Sequence, residues 1–367
     1  MRACVVIGAG ASLAQAEFFR PQREAEKKQP PLDTTFFDKV RALDLSLSPS
    51  LRSYIRTLTG ADPDLATLSK YRMEEFFKDV YFDFRDRPKD KRVRTAYTDL
   101  VVLYNRVLQH TTNWLCDDGH RRGPIGRVIA AAARRADDVT VVTFNHDLLI
   151  ENEIFKRARL KARWCIDNSY GSFGEDLGRL STGRDEFPAY DTGCDHSRPI
   201  RLLKLHGSLN WIVRIQGRQP TAKDLTGEGR LRDAFLNPSR VIEEPLIRRP
   251  GNGRGRHVWY TWPFVVPPIY AKQALISRLQ SAWSDARVAV QTANILVFYG
   301  YSLPQLDIEA EKLFQRGIAS NRGLDWIDVV NPDPAAAERY CGIAPKRRLR
   351  RYPTVDALLE TDAFSGT

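Results

Sequence analysis

Five short apolar runs punctuate the chain, at Ala3–Ile7, Val139–Thr143, Ile200–Leu205, Ile295–Tyr299 and Trp326–Val330, and each is followed by Gly, Asn or His. Such runs read as strands buried on both faces of a parallel sheet. A sixth strand is predicted near Arg347–Tyr352. Helical periodicity fills the intervals, over Ile125–Arg135, Leu148–Arg159, Ala271–Thr292 and Leu306–Ile318. Strands alternating with helices predict an α/β fold, a Rossmann-like doubly wound parallel sheet. Open sheets of this kind bind ligands at the carboxyl ends of their strands.

The alternation breaks between Phe36 and about Cys116, where helix-like segments follow one another at Phe36–Leu43, Leu65–Phe84 and Val93–Trp114. The last of these sets Tyr97, Leu100, Val101, Tyr104, Val107, Leu108 and Thr111 along one stripe. A helical insertion, about 36–120, is expected to form a second wall over the cleft or an oligomer interface. Stretches rich in Gly, Arg, Asp and Pro at about 168–197 and 216–257 read as irregular insertions. One domain spanning 1–367 is expected, with its core drawn from about 1–22, 123–213 and 263–362.

Composition narrows the picture less. A hydrophobic content of 43% and a charged content of 28% suit a soluble globular protein and do not separate an enzyme from a scaffold. The cysteines Cys4, Cys116, Cys165, Cys194 and Cys341 are scattered and form no CxxC pair, which argues against a disulfide framework and a zinc ribbon. The N-terminus has no basic head leading into a long apolar core, so a cytoplasmic location and no membrane association are expected. The net charge of +11 points to anionic partners. Basic residues concentrate at Arg248, Arg249, Arg254 and Arg256, and in the run Lys346–Arg351. No aromatic residues interleave with that run, so an edge strand kept soluble by positive charge is favoured over a nucleic-acid site.

Candidate chemistry lies at the ends of the predicted strands. The first strand runs into Gly8-Ala9-Gly10-Ala11-Ser12, where glycines let backbone approach a pyrophosphate and a following helix points N–H groups at it. Leu13 stands where the fingerprint has its third glycine, so alone this turn is as consistent with a structural role as with nucleotide binding. Ser12 either caps the first helix or touches phosphate. Three further motifs follow strands: TFNHD (Thr143–Asp147), LHGSLNW (Leu205–Trp211) and GYSLPQLD (Gly300–Asp307). Asn145 could hold a hydroxyl or water without charge, or make only an Asx turn. His206 is a candidate general base, because an unperturbed imidazole, with a pKa of about 6.5, can take a proton near neutral pH, or it is a satisfied core histidine. Alternation would turn His146 away from Asn145. Asp307 either meets a ligand or complements a helix dipole, and Asn331 either contacts a ribose or caps a turn with Pro332 and Asp333. No G-x-S-x-G elbow and no His-Glu-x-x-His pattern occurs.

Taken together and in this order, the four motifs resemble those of SIR2-like domains related to sirtuins, and most nearly the bacterial branch of that superfamily. Pro267-Pro268, Lys272 and Trp283 also fall where this branch carries a PP…K…W segment. The resemblance implies NAD as substrate, no metal, Asn145 and His206 as catalytic residues, and Asp147 near the nicotinamide carboxamide. It also implies that Gly8, Ala9, Gly10, Ser12, Gly300, Ser302, Asp307 and Asn331 contact the dinucleotide, and that Arg20–Pro31 is a cofactor-binding loop or a linker. The sirtuin zinc module is lacking, which puts deacylation in doubt. The activity implied is an NAD glycohydrolase serving as an anti-phage effector, as a homo-oligomer and with a separately encoded partner such as a HerA-type ATPase. Two alternatives remain: a non-catalytic NAD or ADP-ribose sensor with a basic partner-binding or nucleic-acid face, and an NAD-dependent ADP-ribosyltransferase or deacylase.

Overall fold

A computed structural model describes residues 1–19, 29–60, 68–117, 122–164, 170, 195–216, 249–250, 258–266, 279–304, 307–344 and 349–361. Nine strands occur among them: β1 (Arg2–Ile7), β2 (Asp138–Thr143), β3 (Ile200–Lys204), β4 (Gly207–Gln216), β5 (Arg249–Pro250), β6 (Val258–Val265), β7 (Ile295–Tyr299), β8 (Trp326–Val330) and β9 (Leu349–Tyr352). Six form one sheet in the order β3-β2-β1-β7-β8-β9, every neighbouring pair parallel. Counting those six alone, the order is 3-2-1-4-5-6, that of dinucleotide-binding folds, and it reverses between β1 and β7. The expected α/β doubly wound sheet is thus observed.

The apolar runs become strands because Val, Ile and Leu side chains can be covered on both faces. Val5, Val6, Val141, Leu202 and Val297 have no exposed surface. Each such side chain contributes roughly 1.5–3 kcal/mol of burial. Register then sets the site: Ile7 lies level with Thr143 and with Tyr299, Thr143 with Lys204, and Tyr299 with Val330. Five strands therefore end at one level, and the loops that follow them emerge side by side.

The expected helical insertion is present, as Phe36–Ala42, Pro49–Thr59, Met73–Asp86 and Lys91–Asp117. All seven residues of the anticipated stripe on the long last helix are buried. Aromatic rings knit the insertion together, with Phe84 stacked on Tyr97 at 4.9 Å between centroids and Tyr104 against Phe36 and Phe77. The Pro49–Thr59 helix was not anticipated, although its punctuation is in the sequence. Ser48 accepts from Leu51 N as N-cap, Pro49 opens the helix, and Gly60 closes it at φ +71°. Of the expected Leu65–Phe84 segment, residues 65–67 lie outside the described residues, Leu68 is helical, and a helix runs over Met73–Asp86. Similarly, Leu148–Arg159 resolves into two helices, Leu149–Phe155 and Ala158–Lys161. Of the helices expected over Ala271–Thr292 and Leu306–Ile318, residues 271–278 and 306 lie outside the described residues, and helices run over Gln280–Thr292 and Ile308–Ser320.

A second sheet, β4-β6-β5, is antiparallel and was not foreseen. It begins where the parallel strand β3 ends, after a break of only two residues, Leu205 and His206, so the two strands read as one apolar stretch. Most of the anticipated 168–197 and 216–257 insertions lie outside the described residues, as do Pro267, Pro268, Lys272, Cys165, Cys194, Arg248, Arg254, Arg256 and the Arg20–Lys28 part of the expected cofactor loop.

β9 is an edge strand, as the basic run suggested, but two of its arginines have specific structural partners. Arg350 forms a two-pronged ion pair with buried Asp328 at 2.7 and 2.8 Å and lies over the Trp326 ring. Burial pushes the Asp328 carboxyl up, and Arg350 opposes that shift. Arg351 pairs with Glu338. Burial likewise pushes the Cys4 thiol up to about 12, which makes it unreactive. Among the described residues no helix is long and apolar enough to cross a membrane.

Two backbone turns meet closely at the strand-order reversal. Gly300 has φ +61°, and a Cβ on it would lie 2.0 Å from Ala11 N. Gly300→Ala is expected to cost ~3 kcal/mol or more in urea unfolding, since strain and overlap combine. Gly60→Ala, with a similar φ but open space around it, is expected to cost about 1 kcal/mol. Equal losses for the two variants would contradict this account of the turn.

Candidate functional site

The level strand ends place five loops around one cleft of about 1090 Å³. Gly10 and Ser12 come from the β1 turn, Asn145, His146 and Asp147 from β2, His206 from β3, and Gly300, Ser302 and Asp307 from β7. Asn331, after β8, lines the far end, and Tyr104 and Leu108 of the helical insertion line a side wall. Ala9 is exposed to the same cleft. Of the residues nominated from the four motifs, all but Gly8 line this cleft.

A directed hydrogen-bond chain runs across the cleft floor. Asn145 Nδ2 donates to Ser12 Oγ at 3.0 Å, and Ser12 Oγ donates to Asp147 Oδ2 at 2.7 Å. Asp147 Oδ1 accepts from Leu149 N at 3.2 Å, which opens the next helix. Thr143 Oγ1 donates to Ile7 O and accepts from Asn145 N, which ties this loop to β1. Because the amide nitrogen of Asn145 faces Ser12, its Oδ1 is the acceptor left to serve a ligand. Ser12 therefore orients Asn145, a role beyond the two expected of it, and it also lines the cleft.

Gly8 and Gly10 have a packing role that the sequence did not show. Neither has a positive φ, and their lack of a side chain serves packing between loops: a Cβ on Gly8 would lie 2.6 Å from Tyr301 Cα, and one on Gly10 2.9 Å from Gly300 O. The Gly10 amide donates to Gly300 O at 2.9 Å, so it is engaged within the protein. The left-handed glycine of the site is Gly300.

His206 is buried between the rings of Phe144, 5.0 Å away between centroids, and Trp283, 6.3 Å away. Its backbone carbonyl accepts from Val266 N at 2.7 Å, and Trp283 Nε1 donates to the preceding carbonyl, Leu205 O. Gly207 follows at φ +84°, turning the chain into β4. His206 Nε2 lies 3.9 Å from Asp307 Oδ2.

His146 overturns the expectation that it turns away. The extended strand ends at Thr143, so alternation no longer governs residue 146. The ring is buried 6.2 Å from that of His206. Its Nε2 faces His206 O at 3.0 Å and Val266 O at 3.1 Å, both acceptors, so Nε2 carries the hydrogen. Nδ1 then accepts the hydroxyl of Tyr104 at 2.8 Å. This imidazole joins the helical insertion to the His206 loop. The Tyr104 stripe position was legible as core, but nothing in its spacing marked it as a partner of His146.

Ser302 lies on the cleft rim, its carbonyl accepting from Arg339 Nε at 2.6 Å. Asn331 adopts the turn alternative, with Oδ1 accepting from Asp333 N at 2.9 Å, while remaining part of the cleft lining. Asp307 makes no side-chain cap to the helix it precedes.

Beneath Asp147 sits a buried ion pair that the sequence did not advertise. Lys204 and Glu151, both with fully buried side chains, meet at 2.8 Å, and Lys204 also donates to Asp147 O. Burial pushes the Glu151 carboxyl up, opposed by Lys204. The pair fixes the Asn145–Asp147 loop from below. Among the described residues no group of three His, Cys, Asp or Glu side chains is placed to hold a metal ion.

No family model matches the chain, and no curated protein matches it. Among solved structures, one from a study of the structural basis of sirtuin substrate affinity is similar over 97% of this chain and 90% of its own, at 14% identity and a TM-score of 0.34. A second, Sir2 in complex with the inhibitor EX-527, 2′-O-acetyl-ADP-ribose and deacetylated p53 peptide, is similar over 98% and 92%, at 13% identity and a TM-score of 0.33.

Removing one partner of the buried pair should expose its role. Lys204→Met leaves an uncompensated buried carboxylate and is expected to cost about 3–5 kcal/mol at neutral pH, most of it recovered in Lys204→Met/Glu151→Met. Without its cation, Glu151 has a folded pKa above its unfolded value of about 4.3, so the stability of Lys204→Met falls as pH rises and recovers toward acid. Urea unfolding between acid and neutral pH measures both effects, and losses that simply add in the double variant would contradict the pairing.

Proposed function

We propose that the protein is an NAD glycohydrolase, cleaving NAD to nicotinamide and ADP-ribose. The observation that supports this reading best is the convergence of Asn145, oriented by the Ser12–Asp147 chain, and His206 on one cleft at the strand-order reversal. Its volume, about 1090 Å³, slightly exceeds the roughly 300–1,000 Å³ typical of small-molecule sites and suits an extended dinucleotide.

The bond to be broken joins C1′ of a ribose to an already cationic pyridinium, so departure yields neutral nicotinamide and an oxocarbenium-like carbon. Acid assistance is unnecessary; shielding and a positioned nucleophile are needed. In this reading Asn145 Oδ1 accepts a hydrogen bond from the ribose or the incoming water. Buried Asp147 and Asp307 offset the developing positive charge, and neutral His206 accepts the proton. Phe144, Trp283 and Tyr301 wall the reaction from bulk water. Ser302 and Asn331, toward β8, extend the cleft for the adenosine half.

The family resemblance of the motifs adds an effector role in bacterial anti-phage defence, a cytoplasmic setting, a homo-oligomer and a partner such as a HerA-type ATPase. All four belong to the proposal. Chromatography of NAD incubated with concentrated protein tests its core. Wild type is expected to release nicotinamide, and Asn145→Ala and His206→Ala to lose at least about a hundredfold of that rate. Undiminished release by Asn145→Ala would remove the assignment.

A further inference from the structure

The centre of NAD is an anionic pyrophosphate, and the β1 turn is where the sequence would place its donors. In the fold most of those donors are already spent. Gly8 N donates to Tyr299 O, Gly10 N to Gly300 O and Ala11 N to Gly8 O, and the Ser12 hydroxyl donates to Asp147. None of the four has a hydrogen left for a phosphate oxygen. The cleft lining is also rich in carboxylates, with Glu17, Asp147, Asp307, Asp333 and Asp356 all contributing. An anion drawn into such surroundings requires a cation.

Among the described residues, Arg72, Arg127 and Arg339 are the arginines that line the cleft. Arg72 is paired with Asp33 at 2.6 Å and Arg127 with Asp356 at 2.5 Å. Arg339 pairs with no carboxylate among the described residues; its hydrogen bond runs from Nε to Ser302 O at 2.6 Å. The half-buried side chain therefore keeps Nη1 and Nη2 unbonded, and neither is enclosed by protein. The neighbouring Tyr340 hydroxyl donates to Tyr301 O at 2.6 Å, so residues at the end of the Pro334–Arg339 helix grip two successive carbonyls of the turn after β7. Anchoring Nε fixes the plane of the guanidinium before any ligand arrives, which lowers the entropy lost on binding. The remaining Nη1–Nη2 edge is a fork that matches two oxygens of a phosphate. Its anchor, Ser302, lies between the Asn145–His206 end of the cleft and Asn331, where the middle of an extended dinucleotide passes.

We infer that Arg339 binds the pyrophosphate of the dinucleotide. The inference rests on the part of the glycohydrolase reading that puts NAD in this cleft, and it narrows the substrate class: the site takes pyrophosphate-linked nucleotides and discriminates against nucleosides. Arg339 is a binding residue and takes no part in breaking the C1′–N bond. Its hold on the pyrophosphate, remote from that bond, fixes where the nicotinamide ribose falls.

Binding of ADP-ribose and of adenosine is compared by calorimetry for wild type, Arg339→Gln and Arg339→Lys. Gln carries an N–H donor the same number of bonds from the backbone as Arg Nε, so Arg339→Gln retains a donor for Ser302 O while removing the charge and the fork. Wild type is expected to bind ADP-ribose more tightly than adenosine. Arg339→Gln is expected to weaken ADP-ribose roughly tenfold to a hundredfold and adenosine by less than about twofold, with Arg339→Lys between wild type and Arg339→Gln for ADP-ribose. Equal losses for the two ligands would reduce Arg339 to a support for the turn and overturn the inference, and unchanged ADP-ribose binding would overturn it too. Neither ligand contains the bond to nicotinamide, so the result is independent of catalysis. Absence of nicotinamide release from NAD by wild type, with the selective loss in Arg339→Gln intact, would instead overturn the glycohydrolase reading.

Discussion

The structure depends on the contact between two backbone turns, one after β1 and one after β7. Gly10 N donates to Gly300 O, Gly8 N donates to Tyr299 O, and a Cβ at Gly8, Gly10 or Gly300 would fall within 3 Å of the opposing turn. Overlap at that distance between backbone atoms has no soft side chain to absorb it. The contact closes the point where the strand order reverses, and so sets where the cleft can open. Every loop that carries a candidate residue is positioned relative to it.

From there the site is assembled by hydrogen bonds that cross between loops. Thr143 ties the β2 loop to β1, Ser12 links Asn145 to Asp147, and Lys204 reaches up from β3 to hold the Asp147 carbonyl. The helical insertion adds a wall and also a tether, because Tyr104 binds His146 and His146 binds the His206 carbonyl. A displacement of the Lys91–Asp117 helix would therefore be felt at His206 through a single imidazole.

Much of this was legible in the sequence, and the reasons are specific. Strands such as Ile295–Tyr299 and Trp326–Val330 are buried on both faces, so their apolar runs are unbroken and their limits coincide with those read from the chain. Asn145, His206 and Gly300 stand within two residues of strand ends, where a doubly wound sheet exposes its chemistry. What escaped were relations between residues distant in sequence. The Lys204–Glu151 pair and the Tyr104–His146 bond follow from which elements pack together, and neither spacing nor residue type signals them. His146 was misread because strand alternation was carried past the strand's end, and the packing role of Gly8 and Gly10 was missed because glycines beside an expected phosphate also serve where two turns meet. The antiparallel β4 was missed because it begins two residues after a parallel strand ends.

The central claim is that the Asn145–His206 end of the cleft receives the nicotinamide ribose. A crystal structure of Asn145→Ala bound to NAD tests it most directly. The account requires the nicotinamide ribose C1′ beside His206 and Asp307, with the adenosine half extending past Ser302 toward Asn331. A dinucleotide bound in the reverse direction, or outside the cleft, would contradict it.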